Sequence, residues 1–180
     1  MKLALLMGNR YNPWRLRGFK RLRGGPTVTA FRAESQIQDH FKERGDGTEW
    51  MERERIYFDT QAGNAIARTY YTLAERYLSR SPRVLPFHEQ LKGYDVIHSW
   101  ELFTDWSASA LEARKQYNIP LAITVWDLLP FNMEREPGRR ELKRRVAEGA
   151  DRVVVYTERS RAMLSFEGVA MSNVAAPLFQ

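Results

Sequence analysis

Short apolar runs separated by longer amphipathic segments leave this chain few folds to choose from. Runs of this kind arise when parallel strands are buried on both faces and joined by crossover helices. The runs predict strands at Leu3–Met7, Val28–Phe31, Ile56–Phe58, Val96–Ser99, Ala122–Trp126 and Val153–Tyr156. Four of them are almost continuously apolar, so the predicted class is α/β, a Rossmann-like three-layer sandwich around a mostly parallel central sheet.

The intervening segments carry apolar residues at helical spacing. Ile66, Tyr70, Leu73 and Tyr77 form one stripe, and Trp106, Ala110, Ala113 and Tyr117 form another. Thr104 is positioned to cap the second helix, with Asp105 in its first turn where the helix dipole favours a negative charge. Pro137 and Gly149 bracket a third helix with Leu142 and Val146 inward, and Thr157 caps a fourth that ends at Gly168. The polar stretch Lys42–Glu54 reads as an exposed loop. Residues 1–168 are expected to form one domain, and 169–180 a tail or the start of an interdomain linker: a short edge strand or a disordered end.

Charge is unevenly distributed. The net charge is +6 from 28 Lys and Arg against 22 Asp and Glu, yet residues 1–25 hold seven basic residues and no acidic one. The remainder is therefore close to neutral, which argues against a uniformly basic nucleic-acid coat. The segment Arg10–Arg23 interleaves arginine with Tyr11, Trp14 and Phe19, a mix suited to anionic lipid or phosphate, or to a helix face with its aromatics turned inward. The cluster Arg139–Arg145, offset by Glu134, Glu136 and Glu141, reads as a solvated helix.

Composition removes several chemistries. With no cysteine, disulfides, thiolate zinc sites and cysteine nucleophiles are excluded. The histidines His40, His88 and His98 lack any ligand spacing and no Asp-x-Asp pair occurs, so no metal is predicted. No dinucleotide fingerprint follows the first strand and there is no Walker sequence, so no cofactor is expected. Met1–Met7 is too short for a signal-peptide core, and no run approaches the ~18 apolar residues of a spanning helix. The expected location is the cytoplasm, including the inner face of a membrane as a peripheral site.

In open parallel sheets, ligands sit beyond the carboxyl ends of the strands. That edge selects Gly8, Asn9 and Arg10 after the first strand, Trp100 and Glu101 after the fourth, Trp126 and Asp127 at the end of the fifth, and Thr157 and Glu158 after the sixth. Glu101 and Asp127 are the candidate catalytic residues, because a carboxylate within hydrogen-bond reach can accept the proton of a substrate hydroxyl. Each could instead cap the helix that follows. His98, inside an apolar strand, reads as a core residue or as a substrate contact. Trp100 and Trp126 offer faces for a sugar ring, whereas Trp106 is expected to pack.

The segments YDVIHSWE, IPLAITVWDLLPF and ADRVVVYTERSRAMLSFEG, spanning Tyr94 to Gly168, occur in an order and spacing that resembles the N-terminal half of family-4 glycosyltransferases of GT-B architecture. Tyr94, Asp95, Val96, Ile97, His98, Thr124, Asp127, Ala150, Asp151, Thr157, Glu158 and Arg161 match the family pattern. The resemblance implies a Rossmann-like domain that binds the acceptor, a glycan or lipid-linked molecule, and forms one wall of the catalytic cleft. It implies that a C-terminal partner domain holds most of the nucleotide sugar, and that transfer retains anomeric configuration without an obligatory metal. Trp100 and Trp126 stand where family members often carry histidine, so no histidine role transfers there. The glycine pair that many members carry after the first strand is also missing from that place. Such enzymes are about twice this length, so this chain by itself is expected to be inactive as a transferase. The alternative expectation is a stand-alone module that docks on anionic lipid or nucleic acid through the basic segment. For the transferase reading, the expected partners are a nucleotide sugar, the acceptor and an anionic membrane surface, with no specific nucleic acid.

Overall fold

The computed structural model describes residues 1–8, 19, 25–33, 52–57, 65–78 and 83–175. Six strands form one sheet: β1 (Lys2–Gly8), β2 (Thr27–Ala33), β3 (Glu52–Ile56), β4 (Val96–Trp100), β5 (Leu121–Val125) and β6 (Arg152–Val155). Their spatial order is β3-β2-β1-β4-β5-β6, and every pairing is parallel. The chain thus starts in the middle of the sheet and builds outward in both directions. The order reverses beside β1 and β4, where a doubly wound sheet opens a crevice.

The helices are α1 (Ala65–Leu78), α2 (Asp105–Tyr117), α3 (Arg139–Gly149) and α4 (Glu158–Phe166). One sheet face, carrying Ala4, Leu6, Ile97, Ile123 and Val155, packs on Leu111 of α2, Val146 of α3 and Leu164 of α4. Leu111, Val146 and Leu164 are fully buried. The opposite face carries Leu3, Leu5, Met7, Val28 and Ala30, with Phe19 and Trp100 against it. A strand buried on both faces cannot alternate in polarity, which is why these runs read as continuous apolar segments.

Local chemistry sets the helix ends. Ser107 N–H donates to Thr104 Oγ1 at 3.1 Å and Ser160 N–H to Thr157 Oγ1 at 3.2 Å, the N-caps expected for α2 and α4. Asn118 closes α2 in the left-handed region, φ 55°. In α2 the stripe faces the core, with Ala110 and Ala113 fully buried and Trp106 set edge-on against Phe87 at 5.2 Å.

Several expectations need correction. The third strand lies earlier, at Glu52–Ile56 rather than Ile56–Phe58, and so includes residues read as loop; Phe58 lies outside the described residues. As the sheet's edge it carries a charged sequence, Glu-Arg-Glu-Arg, that hides its strand character and discourages edge-to-edge association. The α1 stripe does not enter the core: Ile66 and Tyr77 are more than 70% exposed, and among the described side chains of that helix Ala74 is buried. Helix α3 starts at Arg139 and not at Pro137, because Gly138 adopts φ 81° between them. That helix is only partly solvated, since Lys143 is buried and pairs with Glu167, whose side chain is 3% exposed. Beyond α4, Met171–Asn173 forms a 3-10 turn and Val174 makes a parallel bridge to Val153.

Candidate functional site

Beyond the carboxyl ends of β1, β4 and β5 lies a cleft of about 690 Å³. Its lining includes Gly8, Trp100, Glu101, Trp126 and Asp127, the residues selected by strand-end position. Gly8 ends β1 with φ 64°, a conformation that suits glycine, and a Cβ there would touch the Trp106 indole at 3.6 Å.

Glu101 follows β4 with φ 61°, which costs a non-glycine residue about 1 kcal/mol or more. Two hydrogen bonds hold it there. Its N–H donates to Thr124 O at 2.9 Å, and its Oε1 accepts from Trp126 N–H at 2.8 Å. The carboxyl therefore clamps the end of β4 to the end of β5 instead of capping α2. Burial pushes its pKa up to about 7, against the lowering effect of the Trp126 N–H and with a further push from the charge of Asp127. Near neutral pH this group can donate or accept.

Asp127 Oδ1 accepts from Leu129 N–H at 3.1 Å, forming an Asx turn rather than a helix cap. Its Oδ2 is buried and has no hydrogen-bond partner among the described residues. A buried acceptor left in this state is costly and is commonly satisfied by water or a ligand hydroxyl.

Two ionisable lining residues, Arg139 and Asp105, escaped the sequence reading as site residues. Arg139, from the first position of α3, donates from Nη1 to Asp105 Oδ1 at 2.7 Å and to Phe103 O at 2.8 Å, and from Nε to Glu136 Oε2 at 3.1 Å. Asp105 Oδ2 also accepts from Val84 N–H at 3.2 Å. Asp105 and Arg139 are 34 residues apart, so no local motif joins them. The available hint was an acidic first turn in one helix and a basic first residue in another.

Other expected site residues lie elsewhere. His98 projects onto the opposite sheet face, where its ring centroid is 4.4 Å from Trp100 and 5.8 Å from Phe19, and Nε2 is 2.7 Å from Thr124 Oγ1. Burial holds its pKa down to about 4, so it is neutral at physiological pH. It lines a second, apolar depression of about 380 Å³ with Val154 and Tyr156. Thr157 caps α4, and Glu158 pairs with Arg161 at 3.8 Å; neither lines the main cleft. Asn9 and Arg10, with the rest of the basic segment except Phe19, lie outside the described residues. Among the described residues no group of three or more His, Asp or Glu is placed to hold a metal ion, and no helix is long and apolar enough to cross a membrane.

The fold has solved counterparts at low sequence identity. HepE of Anabaena in complex with UDP is 15% identical, with a TM-score of 0.58, and the alignment covers 97% of this chain and 43% of that one. UDP-GlcNAc 2-epimerase from Neisseria meningitidis bound to UDP-GlcNAc is 14% identical at TM-score 0.59, covering 98% and 46%. The lipopolysaccharide outer core galactosyltransferase WaaB, in its apo form, is 10% identical at TM-score 0.55, covering 98% and 45%. The chain thus spans less than half the length of these structures. No curated protein sequence matches it. Residues 15–176, nearly the whole chain, match the model of the glycosyl transferase 4-like domain, and the Rossmann-like sheet agrees with that match: the chain belongs to the glycosyl transferase 4-like domain family.

Proposed function

We propose that this chain is the acceptor-side domain of a retaining glycosyltransferase that takes a sugar from a nucleotide-sugar donor. Residues 1–168 form the domain in this reading, and 169–180 lead toward a donor-binding domain. The observation that carries it is the cleft at the switch point of the sheet, where Asp127 Oδ2 is buried and unpartnered beside Glu101 in a member of this family. Two solved counterparts of the same fold, in complex with UDP or UDP-GlcNAc, support a nucleotide sugar as the donor class.

The chemistry assigns a role to each side chain. An acceptor hydroxyl would donate to Asp127, whose carboxylate takes the proton as the hydroxyl oxygen bonds to the anomeric carbon on the same face from which the nucleoside diphosphate departs, so that configuration is retained. Glu101 positions that carboxylate by fixing the Trp126 backbone next to it. Trp100 and Trp126, with ring centroids 6.2 Å apart, give the acceptor an apolar wall.

Ligand-observed NMR on the 180-residue chain tests this reading, with UDP and a panel of glycosides as probes. Glycosides are expected to bind, with binding weakened by Asp127→Asn, and UDP to bind only feebly without a second domain. Tight UDP binding with no glycoside binding would overturn the acceptor-side assignment.

A further inference from the structure

The composition of the cleft specifies more than a sugar acceptor in general. We propose that it receives the acceptor as an uncharged, polyhydroxylated ring, held by carboxylate acceptors on one side and indole surfaces on the other, and that it discriminates against phosphorylated and carboxylated sugars. The inference rests on the acceptor-side reading above and adds the chemical class of the ligand.

Three features support it. Among the described residues the ionisable lining consists of Glu101, Asp105, Asp127 and Arg139. Arg139 is the one cation, and its charge is already committed to Asp105 and to Glu136 next to the cleft; its side chain is 12% exposed. Among the described residues the charge offered to an incoming ligand is therefore acidic, and a phosphate or carboxylate placed near Asp127 would meet a like charge with no free cation among these groups to offset it.

Hydrogen-bonding capacity points the same way. Asp127 Oδ2 is a buried acceptor awaiting a donor, and a sugar hydroxyl supplies one whereas an ionised phosphate oxygen supplies none. The Glu101 carboxyl also lines the cleft, with Oε1 accepting from Trp126 N–H. Apart from Thr104 and Asn132, the remaining side chains of the lining are apolar, Trp100, Trp106, Trp126 and Leu128 among them, and suit the C–H faces of a ring more than a headgroup rich in charge. A cleft of about 690 Å³ falls in the size range of small-ligand sites.

The experiment compares matched ligands on the wild-type chain, so it does not depend on any variant folding. Methyl glucoside, glucuronic acid and glucose 6-phosphate are titrated while tryptophan indole and backbone amide NMR signals report the location. The expected result is that methyl glucoside shifts the signals of Trp126 and Asp127, and that the two anions bind at least tenfold more weakly. Equal or tighter binding of the anions at the same signals would overturn this inference and leave the acceptor-side reading standing. If no sugar of any charge moves these signals, the acceptor-side reading fails and this inference falls with it. In Asp127→Asn, which keeps the Oδ1 acceptor for Leu129 N–H, the preference for the uncharged sugar should narrow as the negative charge is lost; an unchanged ratio would refute the electrostatic origin.

Discussion

Replacing Glu101 by glutamine should make the protein more stable, and only above the pH at which an ordinary carboxylate ionises. Glutamine keeps an oxygen to accept from Trp126 N–H, so the clamp between β4 and β5 survives while the ionisable group is removed. In the folded state burial pushes the Glu101 pKa from 4.5 to about 7. Between those values the folded chain holds a proton that the unfolded chain has lost, so stability falls as pH rises. At ~1.4 kcal/mol per pH unit, the wild type loses roughly 3 kcal/mol across the window. His98 acts in the opposite sense. With its pKa held down from 6.5 to about 4, the unfolded chain binds the extra proton between these values, and stability rises with pH by a similar amount. The two contributions nearly cancel in the wild type between pH 4.5 and 6.5, so its profile conceals both. The difference between E101Q and wild type isolates the Glu101 term: constant below pH 4.5, then rising in favour of the variant to roughly 3 kcal/mol above pH 7. Urea unfolding followed by tryptophan fluorescence from pH 4 to 8 measures it. A pH-independent difference would refute the burial argument.

Two further outcomes follow from the packing around α3 and α4. Lys143→Met leaves Glu167 buried beside an apolar neighbour and should cost about 3–5 kcal/mol in urea unfolding, with much of the loss recovered when Glu167→Gln is added. Thr157→Ala removes the α4 cap and should lower stability by about 1 kcal/mol while leaving glycoside binding unchanged, because Thr157 does not line the main cleft.

Legibility in the sequence followed burial. The central strands β1, β4 and β5 and the neighbouring β2 and β6 could be read because most of their side chains lie within the protein, which leaves largely apolar runs. Edge strand β3 could not, since Glu52 and Glu54 are exposed and alternate with arginines. The α1 stripe misled for the complementary reason: helical spacing of apolar residues shows that a face exists, and says nothing about whether the core reaches it. Within the site, Gly8, Glu101 and Asp127 were accessible to reasoning because parallel strands carry their final residues to one edge. His98, read as a core residue or a substrate contact, sits inside β4 with its ring hydrogen-bonded to Thr124, on the sheet face away from the main cleft.

What the sequence determined by itself is therefore a parallel α/β sheet, its helix caps and the edge at which chemistry can occur. These depend on period, on local hydrogen bonds and on a rule of chain direction. The tertiary structure decided which charges pair, Arg139 with Asp105 and Lys143 with Glu167, and that the Glu101 carboxyl accepts from the Trp126 backbone. Those partners lie 34, 24 and 25 residues apart. Pairing with Asp105 sets Arg139, the first residue of a stretch that reads as a basic surface helix, into the lining of the cleft, because electrostatic interactions depend on distance in space and on the solvent excluded between groups, neither of which is written in the order of residues.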